Sequence, residues 1–375
     1  MQNPFNYLQF ASGDQFYDRT EIRKDLLSRF LSGQTNVVLY GPRRYGKSSL
    51  VAELVKDLEA NGIPCVTIDV MKVPTIDLFA THYANKIYRR LAPVQFEFRK
   101  LCGFLKSLRP KLTLDAAGET GLTFDAAPET VSPEALSEIL DLPQKLVSGK
   151  RRAVVVLDEF QEVKDLLPND GFERIMRSVL QGHRNISYIF LGSRYHLLRR
   201  MFTDRNRPFY KSAVALLLDK PPLDESIQFV LDRFKHGGKS ISREAATRLV
   251  SHIENIPYYI QQLGFETFRL VDDRGSKTVT VDDVEAAVSR LSGFNRDQYE
   301  QLLLTFSTAQ RKLLFALAQE RTRAFDEAYR RRHALGVSST VNSAKAKLME
   351  DGHVEVSNGE FVVADPFFAR FLREV

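Results

Sequence analysis

The stretch LYGPRRYGKSSL, residues 39–50, decides the fold. It follows NVVLY at residues 36–40, an apolar and β-branched run that predicts a short buried strand. The residues after it, 49–59, have the apolar spacing of a helix. A glycine-rich turn between a strand and a helix is a common anion site in α/β proteins. The turn therefore predicts a negatively charged ligand.

Residues 41–48 match the pattern G-x-x-x-x-G-K-[ST] at every fixed position. Glycines let the backbone turn tightly, so that its N–H groups can face phosphate oxygens at the start of a helix. In such a loop Lys47 would reach the β- and γ-phosphates and Ser48 would ligate Mg²⁺. The alternative is an ordinary glycine turn before a helix. The residues predicted to bind the nucleotide here are Gly41, Pro42, Arg43, Arg44, Tyr45, Gly46, Lys47, Ser48 and Ser49.

A second apolar run, AVVVL at residues 153–157, ends in Asp158 and Glu159. A strand buried on both faces of a parallel sheet has this pattern, and its carboxyl end lies at the ligand-binding edge. Asp158 is predicted to hold Mg²⁺ through its water shell, and Glu159 to polarise an attacking water as the catalytic base. The alternative is an exposed Asp-Glu loop.

Three further apolar runs, at residues 64–70, 186–191 and 213–218, predict an α/β fold with a five-stranded parallel sheet. The run at 186–191 is followed by Gly192, Ser193 and Arg194. Arg194 is predicted to sense or stabilise charge on the transferred phosphate. The alternative is an ordinary surface arginine.

Several segments together resemble the archaeal-type ATPase family, a member of the AAA+ and STAND-like branch of P-loop NTPases. The resemblance covers the chain from about residue 8 onward, except for residues 95–140. It implies a P-loop ATPase core at 1–220, a helical lid at 221–297 and a winged helix at 298–375. The segments that carry it are FYDRTEI (16–22), GPRRYGKSSL, VVVLDEFQEV, FLGSR, ENIPYYIQQLG and EFVVADPFFARFLRE.

The resemblance implies roles for residues outside the two central motifs. Phe16, Tyr17 and Arg19 match positions on the adenine side of the pocket, and Pro257 matches the proline of the lid motif. Asn255 stands where relatives usually have a small glycine.

A second departure concerns an arginine that relatives use toward a neighbour's nucleotide. Phe209 and Tyr210 are followed by Lys211 and Ser212, where relatives tend to carry Gly-Arg. A substitute would have to be Arg205, Arg207 or Lys211, and lysine lacks the planar fork of arginine. A homo-oligomer is therefore one possible assembly.

Composition favours a soluble, cytoplasmic protein of two or three domains. The chain has 375 residues with a net charge of +6, and neither Cys65 nor Cys102 has metal-ligand spacing. No basic and apolar leader opens the sequence, and no apolar run is long enough to span a membrane. Residues 101–142 are small and polar and predict a surface loop or short hairpin, to which we assign no chemistry.

Residues 309–319, 325–331 and 338–349 predict three helices, and 353–356 and 361–363 predict a hairpin. This is the pattern of a winged helix. Its third helix would bury Val341, Ala344 and Leu348. Duplex DNA could be contacted by the outward face of that helix, through Ser339, Asn342 and Lys345, with Arg330, Arg331, Arg332 and Lys347 near the backbone. Residues 301–375 hold 11 Lys/Arg and 9 Asp/Glu, so a protein contact stays the alternative.

Together these patterns predict an ATP-binding and hydrolysing molecular switch with Mg²⁺ as cofactor, acting on DNA or a protein partner. ATP rather than GTP follows from the resemblance and from the absence of a suitably placed guanine motif. A nucleotide-dependent scaffold or signalling switch without DNA binding is the alternative. A small-molecule kinase is a further one, against which stand Glu159 and the winged helix.

Overall fold

The computed structural model describes residues 3–7, 19–92, 98–105, 110–114, 120–124, 131–147, 149 and 151–375. These residues form two compact units. The sheet unit comprises residues 21–41 and 50–218, and the winged-helix unit comprises residues 1–20, 42–49 and 219–375. The glycine-rich segment 42–49 therefore packs with the C-terminal elements.

The secondary structure alternates between strands and helices in the first half and is mostly helical afterwards. The strands are β1 (Val37–Tyr40), β2 (Cys65–Asp69), β3 (Pro110–Leu114), β4 (Thr120–Phe124), β5 (Ala153–Asp158), β6 (Ile186–Gly192), β7 (Val214–Leu217), β8 (Ser240–Ile241), β9 (Thr278–Val279), β10 (Val354–Ser357) and β11 (Glu360–Val363). The helices are α1 (Thr20–Ser32), α2 (Lys47–Ala60), α3 (Ile76–Leu91), α4 (Phe98–Phe104), α5 (Pro133–Leu140), α6 (Leu142–Leu146), α7 (Gly171–Leu180), α8 (Tyr195–Thr203), α9 (Leu223–His236), α10 (Arg243–His252), α11 (Pro257–Asp273), α12 (Val281–Thr305), α13 (Thr308–Gln319), α14 (Glu327–Arg332), α15 (Ser338–Glu350) and α16 (Pro366–Glu374).

The sheet unit is built on a parallel five-stranded sheet in the order β2-β5-β6-β1-β7. All five predicted strands are present, and the predicted sheet is confirmed. β5 and β6 are buried along almost their whole length because helices cover the sheet, which explains their uninterrupted apolar sequences. β5 and β1 both flank β6 in the parallel sheet, so Asp158 at the end of β5 and Gly41 after β1 lie at the same edge of the sheet.

The predicted hairpin of the insertion is confirmed, with β3 and β4 antiparallel. The insertion also contains α5, which the sequence analysis assigned to a surface loop, and that part of the prediction was wrong. Ser132 caps the helix by accepting a hydrogen bond from the Ala135 N–H, and Leu136 and Ile139 are buried in the core of the sheet unit. The apolar spacing of this short segment was obscured by its small and polar neighbours.

In the winged-helix unit, the helices α9 to α12 contribute to one apolar core. α12 has 25 residues and runs through positions 297 and 298, where the predicted lid meets the predicted winged helix. A two-residue parallel pairing of β8 with β9 also lies in this stretch, where the sequence suggested helices alone. The division into lid and winged helix stays a prediction.

The C-terminal winged helix is confirmed. α13, α14 and α15 precede the antiparallel hairpin of β10 and β11, and α16 closes the chain. Asp365 caps α16 by accepting hydrogen bonds from the N–H groups of Phe367 and Phe368, whose rings are buried. In the part of the chain that the structure describes, no helix is both long and apolar enough to span a membrane.

Candidate functional site

The glycine-rich loop has the backbone geometry that its sequence predicts. A Cβ at Gly41 would lie 2.4 Å from the carbonyl oxygen of Leu218, so the start of the loop admits only glycine. Gly46 has a φ of +86°, which side chains disfavour, and α2 begins at the next residue. The buried Lys47 donates through Nζ to the carbonyl oxygen of Pro42 at 2.7 Å. The loop thus closes at the positive end of a 14-residue helix.

Asp158 and Glu159 mark a sharp turn at the end of β5. Asp158 is the last residue of the strand, and its Oδ1 accepts a hydrogen bond from the Glu159 N–H at 2.9 Å. Glu159 has a left-handed φ of 51° and starts the 3-10 helix Phe160–Asp165. The backbone turn therefore lies at two consecutive carboxylates at the carboxyl end of β5, and their roles stay predictions.

The Glu159 carboxylate is held by neighbours on β6 and on its own turn. Oε2 accepts hydrogen bonds from the backbone N–H of Ser193 at 3.1 Å, from the Ser193 hydroxyl at 2.9 Å and from the Gln161 amide. Gln161 is fully buried, and its Oε1 has no hydrogen-bond partner among the described residues. Gln161 was not among the predicted site residues, although its place two residues after Glu159 was a usable signal.

Arg194 is the residue before α8 and stands two residues after the end of β6, the strand that pairs with β5. Its Nη1 is 3.7 Å from Oε1 of Glu162. The guanidinium therefore lies near one carboxylate. Its predicted role toward the transferred phosphate stays a prediction.

The predicted lid motif meets the glycine-rich loop directly. Pro257 is the first residue of α11, and the N–H of the next residue, Tyr258, donates to the carbonyl oxygen of Arg44 at 3.3 Å. Asn255 has a φ of 59°, and its Nδ2 donates to the carbonyl oxygen of Pro221 at 2.6 Å. Asparagine tolerates this left-handed conformation best after glycine, which explains the departure from the family pattern.

Of the residues expected beside the adenine, only Arg19 can be placed. It has a φ of 70°, is 9% exposed, and donates through its guanidinium to the carbonyl oxygen of Asp219. Phe16 and Tyr17 lie outside the described residues.

Two residues at unspecified positions of the loop motif contact the winged helix, and no sequence pattern indicated these contacts. The Tyr45 hydroxyl donates to Oε1 of Glu355 on β10 at 2.6 Å, and Arg44 Nη1 is 3.0 Å from Oδ2 of Asp365. The Arg44 guanidinium also lies over the rings of Tyr258 and Tyr259, at 5.1 and 4.8 Å from their centroids. The loop is therefore anchored at two points besides its own backbone.

Two regions of the chain match models of known protein families. Residues 28–201 match the family model of an AAA domain. This part of the chain is similar to an AAA domain. Residues 297–374 match a second model, described as a probable winged helix domain. No curated protein gives a significant sequence match.

Solved structures share the fold over nearly the whole chain. A Walker-type ATPase of Pyrococcus abyssi has a TM-score of 0.68 and 20% identity, with 99% of both chains covered. The ORC2 protein of Aeropyrum pernix, in ADPNP–ADP complexes, has a TM-score of 0.59 and 14% identity, covering 100% of this chain and 98% of that chain. The ORC1 protein of Aeropyrum pernix, in complex with DNA, has a TM-score of 0.53 and 14% identity, covering 98% and 95%. At sequence identities of 14–20%, the structural similarity establishes the fold alone.

The sheet unit holds the candidates for an arginine that acts on a neighbour. Arg207 is paired with Asp170 at 2.7 Å and with the buried Glu173, both within the sheet unit. Lys211 has a φ of 53° and its Nζ lies 5.4 Å from the centroid of the Tyr210 ring, while Arg205 is exposed. Arg207 is thus engaged in the packing of its own unit, and Arg205 and Lys211 remain at the surface.

The third helix of the winged helix, α15, has the predicted faces. Val341, Ala344 and Leu348 are buried, and Ser339 and Asn342 are exposed. Lys345 is half-buried, with its Nζ at 5.9 and 5.3 Å from the ring centroids of Phe325 and Phe361.

Several neighbouring cations of this winged helix are paired with carboxylates. Lys347 lies 3.1 Å from Asp351, and Arg331 and Arg332 pair with Glu327 and Glu320. This face is polar, but much of its positive charge is balanced locally.

Proposed function

We propose that this protein binds ATP with Mg²⁺ at residues 41–48 and hydrolyses it. The observation that carries the proposal is the Glu159 carboxylate, held by Ser193 and Gln161 at the sheet edge from which the chain enters the loop at Gly41. A carboxylate oriented in this way can accept a proton from an attacking water.

The donor set fits Mg²⁺. The hydroxyl of Ser48, in the first turn of α2, and the carboxylate of Asp158 are hard oxygen ligands, which Mg²⁺ prefers. The bound ion would neutralise charge on the phosphates. In the described part of the chain no three His, Cys, Asp or Glu side chains form a metal cluster, and a phosphate-loop site needs none, because phosphates and water complete the coordination.

The remaining residues would bind and orient the nucleotide. The N–H groups at the start of α2 and the Lys47 ammonium would neutralise the phosphates, and Arg194 would face charge that develops on the transferred group. Arg19, Phe16, Tyr17 and Pro257 would bind the base. In this scheme Glu159 activates water, whereas a scaffold without turnover would have no use for a base.

Glu159→Gln tests this proposal. It keeps the shape of the side chain and removes the base, so nucleotide affinity should be retained while ATP turnover falls about a hundredfold or more. Phosphate release and binding of an ATP analogue are measured on the same preparations. Glu21→Gln, at an exposed position of α1, is the matched control and should turn over ATP as the parent does. Parental turnover by Glu159→Gln would show that another group orients the water.

We also propose that the helices at residues 221–297 form a lid that moves with the nucleotide. The support is the backbone contact between α11 and the loop at Arg44, since a ligand in the loop acts on the helix that touches it. The proposed domains are those of the sequence analysis, 1–220, 221–297 and 298–375.

Duplex DNA is the partner we propose for the winged helix. The exposed polar side chains of α15 and the fold shared with ORC1 of Aeropyrum pernix, a protein solved in complex with DNA, support it. The local balance of charge favours the competing view that this face contacts a protein.

A further inference from the structure

The contact between the loop and the β10–β11 hairpin is buried and charged. Tyr45 and Glu355 are 2% and 6% exposed, and their oxygens are 2.6 Å apart. The Tyr45 ring belongs to the apolar core of the winged-helix unit. A carboxylate so deeply buried is costly to keep ionised, and its hydrogen bond to one hydroxyl offsets only part of that cost.

The charged groups around Glu355 come from the loop and from two other segments. Burial raises the pKa of Glu355 to about 7, although the Tyr45 hydrogen bond, Lys220 and Lys47 lower it, while Glu254 raises it further. Burial also raises the pKa of Tyr45 far above its usual range, so the phenol stays protonated and remains the donor. Glu355 is therefore mostly neutral at pH 6 and mostly ionised at pH 8.

An ionised Glu355 carboxylate is attracted by Lys47, the same lysine that would bind the phosphates. The positive charge of Lys47 lowers the pKa of Glu355. Tyr45, the hydrogen-bond partner of Glu355, is only two residues before Lys47 in the loop. A nucleotide brings several negative charges to Lys47. Like charges in a poorly solvated site repel strongly, so carboxylate and phosphates oppose each other.

We propose that Glu355 is a carboxylate latch that ties the winged-helix hairpin to the phosphate loop, opposes nucleotide binding, and is released by the bound phosphates. The inference rests on the proposed nucleotide site. Coupling between two sites is reciprocal: if phosphates weaken the Tyr45–Glu355 contact, that contact weakens nucleotide binding by the same factor. Nucleotide binding in the loop would thereby loosen the attachment of the β10–β11 hairpin.

The test compares Glu355→Gln with the parent in binding a non-hydrolysable ATP analogue with Mg²⁺ at pH 6 and pH 8. Glutamine can still accept the Tyr45 hydrogen bond but carries no charge. We expect equal affinities at pH 6 and about fivefold tighter binding by the variant at pH 8, the lower end of common coupling factors. The phosphates of the analogue also change protonation with pH. The quantity compared is therefore the ratio of the variant's affinity to the parent's affinity at each pH.

The matched control is Glu360→Gln, on the other strand of the same hairpin, where the side chain faces Arg323 at 3.9 Å. It should bind the analogue as the parent does at both pH values. Equal affinity of Glu355→Gln and parent at pH 8 overturns the latch, and so does a gain of the same size at both pH values, which indicates a loosened hairpin. A parent that binds no analogue refutes the nucleotide site itself, a distinct result.

Hydrogen exchange gives an independent readout in the parent protein. The amides of Val354–Ser357 should exchange faster when the analogue is added at pH 8, and unchanged or slower exchange contradicts the latch. Tyr45→Phe removes the hydrogen bond and should speed the same amides without any analogue. If Glu355→Gln fails to fold, Tyr45→Phe provides the test instead.

Discussion

Single residues with unusual backbone angles set the geometry of the candidate site. Glu159 and Arg44 have φ values of 51° and 70°, and Glu254 and Asn255 are two consecutive residues with positive φ. Left-handed conformations cost about 1–2 kcal/mol for residues other than glycine. They persist here because hydrogen bonds hold the same residues, as in Glu159 with Ser193 and Asn255 with Pro221.

Asn255 offers a direct test of this strain. Asn255→Ala should lower the free energy of unfolding by about 2 kcal/mol, because alanine loses both the tolerance for positive φ and the hydrogen bond to Pro221. Asn255→Gly keeps the backbone angle and loses only the hydrogen bond, so it should lower the free energy of unfolding by about 1 kcal/mol. Urea unfolding measures both. Asn206→Ala, exposed in a loop of the sheet unit, is the control and should change little. Equal losses for alanine and glycine would contradict the role of the backbone angle.

At the scale of elements, apolar pattern predicted structure wherever a segment was long or uninterrupted. The strands β5 and β6 and the buried stripe of α15 followed directly from their sequences. α5 did not, because its eight residues lie in a small and polar region and its burial depends on neighbours remote in the chain. The predicted hairpin in the same insertion was confirmed, since its alternation is a local signal.

α15 carries the prediction about DNA. If Lys345 and Lys347 contact phosphates, replacing both with alanine should reduce the dependence of log affinity on log salt by about 0.9 units per lost contact. Titration of a labelled duplex at several salt concentrations measures this slope. Lys312→Ala, exposed on α13, is the control and should leave it unchanged. Absence of duplex binding by the intact protein at low salt, with or without ATP, would make the winged helix a protein-contact module.

At the scale of the whole molecule, the sequence predicted the classes of structure and not the contacts between distant segments. The AAA domain and the winged helix were both predicted, because each is defined by local motifs and periodicity. Tyr45 and Glu355 are 310 residues apart, and no local pattern indicates that they touch. The place of the 42–49 segment among C-terminal elements likewise became clear only in three dimensions.

The proposed lid makes a prediction for the intact chain. Residues 219–222 begin the third and longest segment of the winged-helix unit, so their exposure to a protease should change if the lid moves. A non-specific protease should cut this segment at different rates with and without a non-hydrolysable ATP analogue. Lys47→Ala, treated in the same way, should keep the ligand-free pattern. Identical patterns for the parent under both conditions would argue for a fixed arrangement.

The central claim is that residues 41–48 bind ATP, and calorimetric titration of Lys47→Ala with an ATP analogue and Mg²⁺ tests it most directly. Lys56→Ala, on the same helix and exposed, is the matched control. We predict that the parent and Lys56→Ala bind alike and that Lys47→Ala loses most of its affinity, because the main side-chain cation on the phosphates is gone. Equal affinity in Lys47→Ala and the parent would contradict the assignment of the loop.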